Sequence, residues 1–569
     1  MSKQQTTTCD VLVIGSGAGG LAAGITAQKC GLDVLLIEKD TWLGGTTALS
    51  GGWLWIPCNP LAQRAGVADS PDNARLYLKH ELGDLYDEAR ISAFLESGPA
   101  MVDFFERETA VKFFLGTDYP DYHPTAPGAL PGGRAVCAEP FDGRELGDIL
   151  RHLKPPAREL TLFGIKVGSG PDYRHFANAQ RSLRSAMYVA KRLLVHFTQV
   201  AAYGRDVTLM SGNALVGRLL RTALDLGVQI RRSTAATELI LTDGRVTGAI
   251  AVESGTPFAI SARCGVVSAA GGFSHDVARR KKLFQQSTES GEYYSLASHG
   301  NTGDGLRMAE AAGAAVDESF ANPAAWMPVS RVPYADGTFG IYPHSFDRGK
   351  PGVIAVTTDG RRFVNEGDSY HDIGEAMIRA RPGRDDRAAF LVCDNAAIRR
   401  YGLGIAKPFP IPLTPYLRSG YLNRGATIEA LAEQAGMDPL TLSQTVRKFN
   451  AAAQEGRDPE FGRGGNIYNV YQGDPAIKPS PCVAPLERPP YYAVRIYPGD
   501  LGTFAGLRTD EHARVLTAGG AAIPGLFAAG TDMASIFSGY YPGPGINLGP
   551  AMTFGYIAAR HIAQEAEAQ

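Results

Sequence analysis

The chain has 569 residues, of which 44% are hydrophobic and 20% charged, enough for about two to four domains with buried cores. Lys and Arg number 56 against 58 Asp and Glu, a net charge of -2, and the 67 glycines cluster without a period. That balance gives no global field for nucleic acid and excludes collagen and low-complexity disorder.

Seven cysteines lie at least 21 residues apart, with no CxxC pair. Their odd number and wide spacing argue against a disulfide framework or a metal site and point to a reducing compartment. The first eight residues are polar, without a basic stretch leading into an apolar core, so no signal peptide is expected.

Residues 10–15 (DVLVIG) form an apolar run ending in glycine, the pattern of a buried strand. The turn Gly15-Ser16-Gly17-Ala18-Gly19-Gly20 follows, then a helical stretch at 21–29 and a strand pattern at 33–37 that ends on Glu38. Strand, glycine turn, helix, strand and acid within about 30 residues is the context in which GxGxxG marks a dinucleotide site. Gly15 permits the tight turn, Gly17 the approach of a pyrophosphate, and Gly20 close packing of helix on strand. The helix N-terminus offers free N–H groups to phosphate, and Glu38 is placed to accept from a ribose hydroxyl. A second glycine loop, GGTTALSGG at 44–52, is superfluous for a plain nicotinamide enzyme. It suits a flavin dinucleotide, whose ribityl chain and ring extend past the pyrophosphate.

Residues 151–206 carry ten Lys and Arg against three Asp and Glu. Within them Phe176 through Tyr203 reads as one amphipathic helix, with Leu183, Met187, Ala190, Leu194, Phe197 and Ala201 on one face. Arg181, Arg184, Lys191 and Arg192 crowd the other side. Two readings stay open: a helix lying in a membrane interface, or one packed on its own domain with a solvated basic face.

Strand patterns at 246–253 and 265–272 are expected to complete the dinucleotide-binding domain, and NTGDG at 301–305 opens a helical stretch at 306–312. From 321 to 488 the pattern turns to mixed strands and helices, with 428–453 reading as helix. The return segment carries GLFAAGTD at 525–532, where Gly530 and Asp532 suit a second contact with the cofactor chain. Residues 533–559 are uncharged, but three prolines and five glycines favour a buried, loop-rich site floor over a membrane span. The expected architecture is α/β. A Rossmann-type FAD-binding domain comes in two segments, 1–320 and 489–569, around an inserted α+β catalytic domain at 321–488.

Nearly end to end, the pieces resemble the flavin-dependent 3-ketosteroid Δ1-dehydrogenases of the fumarate reductase/succinate dehydrogenase flavoprotein superfamily. They are DVLVIGSGAGG at Asp10, GGTTALSGGWLWIP at Gly44, PDYHP at Pro120, NTGDG at Asn301, RRFVNEGDSYHDIG at Arg361, DLGTFAGLRTD at Asp500 and GLFAAGTDMASIFSGYYPGPGINLGPAMTFGYIAARH at Gly525. The resemblance implies non-covalent FAD held by Gly15, Gly17, Ala18, Gly19, Gly20, Glu38, Lys39, Gly45, Thr46, Thr47, Ser50, Gly51, Gly52, Gly530, Asp532, Asn547 and Leu548.

It implies that Tyr370 removes a proton from carbon 2 of a 3-ketosteroid while a hydride leaves carbon 1 for flavin N5, a 1,2-desaturation. Tyr122 would assist Tyr370, and Tyr541 with the backbone N–H of Gly545 would donate to the 3-carbonyl. Tyr119 and Tyr540 are the neighbours that a register error would substitute, and His371 reads as a loop hydrogen-bonding residue. With one dinucleotide signature and none for NAD(P), electrons are expected to pass to an external acceptor, a quinone or a carrier protein. No metal is expected, and the location is expected to be cytoplasmic, with peripheral membrane contact through the basic helix left open. The alternatives are a fumarate reductase-like enzyme clamping a dicarboxylate with Arg361 and Arg362, a 4,5-desaturating ketosteroid dehydrogenase, and a catalytically silent flavin-binding protein.

Overall fold

A computed structural model describes residues 7–285, 293–380 and 387–568. Its first sheet has eight strands. Thr7–Ile14 and Val34–Ile37 pair in parallel, Val11 opposite Val34, and Gln229–Arg231 extends the sheet beyond them. On the other side Thr7–Ile14 pairs in parallel with the long strand Thr256–Ser268. That strand serves twice. Its first half pairs antiparallel with Arg245–Glu253, itself in a hairpin with Thr234–Thr242, and its last residues pair in parallel with Ala522–Ala528. The runs VLVI, VLLI and GVVS are apolar without alternation because a parallel sheet is covered on both faces.

Ala18–Lys29 is buried from Ala18 to Ala27, since the C-terminal helix Leu548–Glu567 packs along it. A Cβ at Gly555 would stand 2.4 Å from the Gly19 carbonyl oxygen, so the two helices meet backbone to backbone. The chain ends therefore close on each other around the first glycine turn.

The second sheet has six strands, all antiparallel. Tyr491–Thr503 lies at its centre, pairing with Ala389–Asp394 and Asn423–Gly425 through its first half and with Ala324–Pro333 through its second. The inserted sheet thus runs past the expected boundary at 488 to Thr503. A strand pattern alone does not tell which sheet it joins, because its partners are distant in sequence. Tyr370–Ala380 lies on Ala324–Pro333, where a Cβ at Gly374 would stand 2.5 Å from that of Trp326.

Two long helical readings divide. Residues 428–453 form Ile428–Ala435 and Pro439–Ala453, separated by Gly436 at φ 75 and restarted by Asp438, whose carboxylate accepts from the Thr441 N–H. Gly followed by Asp-Pro is a stop and a new start. Residues 176–203 divide likewise into the end of Pro171–Asn178 and Leu183–Tyr203, the second capped by the Ser182 hydroxyl. Among the described residues no helix is long and apolar enough to cross a membrane. The uncharged stretch from 533 is a loop as far as Asn547, then the buried start of Leu548–Glu567.

Candidate active site

The glycine turn is shaped by what a side chain would hit. Gly15 has φ 110, and a Cβ there would stand 2.2 Å from the Ala269 carbonyl oxygen, so only glycine lets the turn pass. A Cβ at Gly20 would meet Gly15 O at 2.0 Å, and one at Gly19 would meet the Gly530 N at 3.0 Å. Gly17 starts Ala18–Lys29 in an extended conformation with no side-chain cap, which leaves first-turn N–H groups for a phosphate. The Ala18 N–H donates to Thr47 Oγ1 at 3.0 Å, tying the second glycine loop to the first.

Around this turn the other expected cofactor residues form one rim. Glu38 accepts from the N–H (3.0 Å) and hydroxyl (2.6 Å) of Ser16 and from the Asp40 N–H (2.9 Å). Lys39 donates to Thr302 Oγ1 at 2.7 Å and pairs with Asp304, while Thr46 Oγ1 accepts from Ser298 N at 2.9 Å and Asn301 Nδ2 at 3.1 Å. The 301–305 loop thereby closes on the rim. Ser50 Oγ donates to Thr47 O at 2.8 Å and accepts from Gly52 N at 3.1 Å, and Gly51 O accepts from Ser169 Oγ at 2.8 Å. Gly45 and Gly530 have φ 48 and 68, and a Cβ on either would meet nothing within 4 Å. Bare backbone facing open space beside an uncapped helix start fits the pyrophosphate and ribityl chain of FAD.

Asp532 plays a different part from a ligand that reaches outward. Its buried carboxylate accepts from Ser268 Oγ (2.6 Å), Ala270 N (2.7 Å) and Gly272 N (2.8 Å), holding the strand ends together. Burial pushes its pKa up, and those three donors oppose the rise. Asn547 and Leu548 stand at the start of the C-terminal helix, half-buried.

Three distant segments bring the tyrosines together. Tyr122 lies in a loop, Tyr370 opens the helix Tyr370–Ala380, and Tyr541 lies in the loop before Leu548–Glu567. The Tyr122 hydroxyl donates to that of Tyr370 at 3.1 Å. Tyr541 stacks on Tyr122 at 5.5 Å and meets Tyr370 edge-on at 5.1 Å. The Pro542 carbonyl accepts from both the Tyr122 N–H (2.9 Å) and the Tyr77 hydroxyl (2.6 Å), which sets the position of the Tyr541 loop against Tyr122. Tyr119 stands one place further out, its hydroxyl 3.4 Å from that of Tyr122. It is Tyr122 that reaches Tyr370.

Gly545 has φ 96, and its carbonyl accepts from the Trp55 N–H at 3.2 Å. Among the described residues its own N–H finds no acceptor, so a bare donor lies four residues from Tyr541. Burial raises the phenol pKa of Tyr122 and Tyr370 well above the ordinary range and that of Tyr541 above it, while the Tyr122 hydrogen bond pulls Tyr370 back down. The position of Tyr370 at a helix N-terminus also favours its phenolate, by about 0.3–1 kcal/mol.

His371 belongs to the helix rather than a loop. Its Nδ1 accepts from the Trp326 N–H at 3.1 Å, and its ring is 5.7 Å from that of Tyr541. Burial lowers its pKa to about 4, so the ring is neutral.

Residues that the sequence did not single out complete the cluster. His123, next to Tyr122, pairs with Glu81 through Nδ1 and with Asp372 through Nε2 at 3.1 Å. Burial works against its charge, but the two carboxylates outweigh it and hold the imidazole pKa well above its usual value. Asp372 is two residues from Tyr370, so this ion pair joins the segments that carry both hydroxyls. Tyr468 and Tyr471, one turn apart on Ile467–Gln472, lie 4.8 Å from Tyr122 and Tyr119 respectively. The i, i+3 spacing of those tyrosines was the available signal.

The arginines of the fumarate reductase alternative are committed elsewhere. Arg362 is buried between Glu366 and Asp458, at 2.7 and 2.8 Å, and Arg361 is exposed beside Asp359.

The FAD binding domain family model matches residues 10–548. The chain is 41% identical to a 4-oxocyclohex-2-ene-1-carboxylate 5-dehydrogenase of Sinomonas cyclohexanicum, over 100% of this chain and 96% of the relative. It is 37% identical to a 3-oxosteroid 1-dehydrogenase of Mycobacterium tuberculosis, over 98% of each. Among solved structures, the 3-ketosteroid Δ1-dehydrogenase of Sterolibacterium denitrificans in complex with 1,4-androstadiene-3,17-dione superposes with a TM-score of 0.90 at 36% identity. The match covers 98% of this chain and 100% of that one. Taken with the cradle and the tyrosine cluster, these likenesses mean that the chain belongs to the FAD-binding oxidoreductases of the 3-oxosteroid dehydrogenase type.

Proposed function

We propose that the protein desaturates the carbon–carbon bond beside a ring ketone, and that its substrate is a 3-keto-4-ene steroid converted to the 1,4-diene. The observation that carries this reading is the contact of Tyr122, Tyr370 and Tyr541, with the bare N–H of Gly545 four residues on from Tyr541 in the same loop. The ketone oxygen accepts from Tyr541 and Gly545, which acidifies the adjoining C–H. Tyr370 takes the proton from carbon 2, and the Tyr122 hydroxyl steadies its phenolate. Both donors then hold the enolate oxygen in an aromatic, water-poor pocket, where each is worth a few kcal/mol. Bound FAD supplies the acceptor for the hydride of carbon 1. Reoxidation falls to an external acceptor, a quinone or a carrier protein.

The rings around Tyr541 favour a steroid: Tyr122, Tyr370, Phe504 and a neutral His371 form an apolar wall with no cation to meet a carboxylate. A second reading, 4-oxocyclohex-2-ene-1-carboxylate, is favoured by the 41% relative and by Arg348. That guanidinium is buried beside the Tyr468 hydroxyl, and its Nη1 donates to the Glu366 carbonyl at 2.7 Å. Comparing kcat/KM for androst-4-ene-3,17-dione and for the carboxylate, with an artificial acceptor, decides between them. A preference for the acid of about tenfold, some 1.4 kcal/mol, overturns the steroid assignment and leaves the tyrosine chemistry standing. Desaturation of neither would overturn both.

A further inference from the structure

The helix Leu183–Tyr203 is turned inside out. Its inward side is polar: Ser185 and His196 are buried, and the Tyr188 hydroxyl donates to Asp172 at 2.7 Å. Arg192 stands 3.6 Å from the same carboxylate, His196 pairs with Asp206 at 3.1 Å, and Gln199 donates to Thr208 at 2.9 Å. Its outward side is the apolar one, with Leu183 79%, Met187 62%, Leu194 66% and Phe197 57% exposed. Spacings of three and four residues place 183, 187, 190, 194, 197 and 201 in a single stripe. Phe163, 64% exposed, adds to it. It sits at the tip of the hairpin Thr161–Leu162 and Ile165–Lys166, where a Cβ on Gly164 would lie 3.2 Å from the His196 ring. Of the two readings left open by the sequence, a helix with its apolar face packed on its own domain is not the one the structure has, since that face is exposed.

A stripe of large apolar side chains along a helix of about 30 Å marks a surface that something covers. Arg184 and Lys191 are exposed along its flank, and the helix contains no Asp or Glu. We propose that this face lies in the interface of an anionic lipid bilayer. The stripe would sit at the headgroup–acyl boundary, and Arg184 and Lys191 against lipid phosphates. Charge selects the bilayer over a second copy of the chain. A two-fold contact through this face would set the cations of one copy beside those of the other, with no acid on the helix to answer them. The inference stands apart from the choice of substrate.

Sedimentation of the FAD-loaded protein with vesicles tests it. Wild type is expected to sediment with phosphatidylcholine vesicles containing phosphatidylglycerol and, by about tenfold or more, less with phosphatidylcholine alone, since each cation near an anionic surface is worth about fivefold. Leu194→Asp with Phe197→Asp should lower binding about a hundredfold, with flavin content, thermal midpoint and dye-linked turnover unchanged. Arg184→Ala with Lys191→Ala should remove the preference for phosphatidylglycerol, and it decides the matter alone if the aspartate pair fails to fold. The proposal is overturned if wild type stays in the supernatant or if the aspartate pair sediments like wild type. It is also overturned if wild type is a dimer that the aspartates split, which would make the face a contact between copies.

Discussion

Replacing Gly545 by alanine adds one methyl group to the loop that carries both proposed ketone donors. That Cβ would stand 2.3 Å from the Trp53 carbonyl oxygen, 2.4 Å from its carbon and 2.7 Å from the Leu54 nitrogen, whereas ordinary contacts begin at 3.4 Å. All three are backbone atoms of Trp53–Trp55, a strand held by its pairing with Ala135–Ala138, so the loop must yield. A retreat of about 1 Å moves the Gly545 N–H and Tyr541 off the ketone, and a misplacement of that size costs on the order of 10²-fold. The φ of 96 adds about 1–2 kcal/mol of strain for any side chain. We expect kcat/KM to fall about 10²- to 10³-fold and the thermal midpoint by several degrees, with FAD still bound because the cradle glycines lie elsewhere. The assay is steady-state dye reduction with the better of the two ketones. Gly244→Ala is the control, since it shares the positive φ (+78) but meets nothing within 4 Å. Near-normal turnover in Gly545→Ala, or an equal loss in Gly244→Ala, would refute the reasoning.

Tyr370→Phe should retain FAD and lose turnover by about 10²- to 10⁴-fold, read by flavin absorbance and dye reduction on one sample. Tyr541→Phe removes one of two donors and should cost about 10²- to 10³-fold, measured as kcat/KM. Because burial raises the Tyr370 phenol, its basic form is the minor one at neutral pH, and kcat/KM should climb about tenfold per pH unit toward alkali; a flat profile would remove Tyr370 as the base. His371, with a pKa of about 4 in the fold against about 6.5 when unfolded, makes the unfolded chain bind a proton that the native state refuses. Stability present above about pH 6.5 should therefore drain as pH falls toward 4, by about 3 kcal/mol in all. Urea midpoints through that window should move less in His371→Gln.

The dinucleotide half of the fold was legible because its signals are local. Strand, turn, helix and acid lie within one short stretch, and Gly15, Gly19 and Gly20 of the turn each answer a backbone atom that a Cβ would crowd. The tyrosines were legible only by resemblance, because no spacing in the chain joins 122, 370 and 541; the Pro542 carbonyl and the Tyr122 hydroxyl do that in space. His123 escaped notice since its two acids lie 42 and 249 residues away. Periodicity placed Leu183, Met187 and Leu194 on one face but is silent about which way a face points, and Asp172 and Asp206, which draw the polar side inward, sit outside the helix. Tyr491–Thr503 was assigned to the return segment because a strand pattern carries no mark of its neighbours.

The Pro542 latch also bears on when the chemistry begins during synthesis. Folding starts from the N-terminal end as the chain emerges, yet the strand Ala522–Ala528, the carbonyl that positions Tyr122 and the helix that closes over Ala18–Lys29 are made last. The cradle and the tyrosine cluster of the proposed site are therefore assembled only when the C-terminal segment is in place, and a C-terminally clipped chain lacks Tyr541, Pro542 and Gly545.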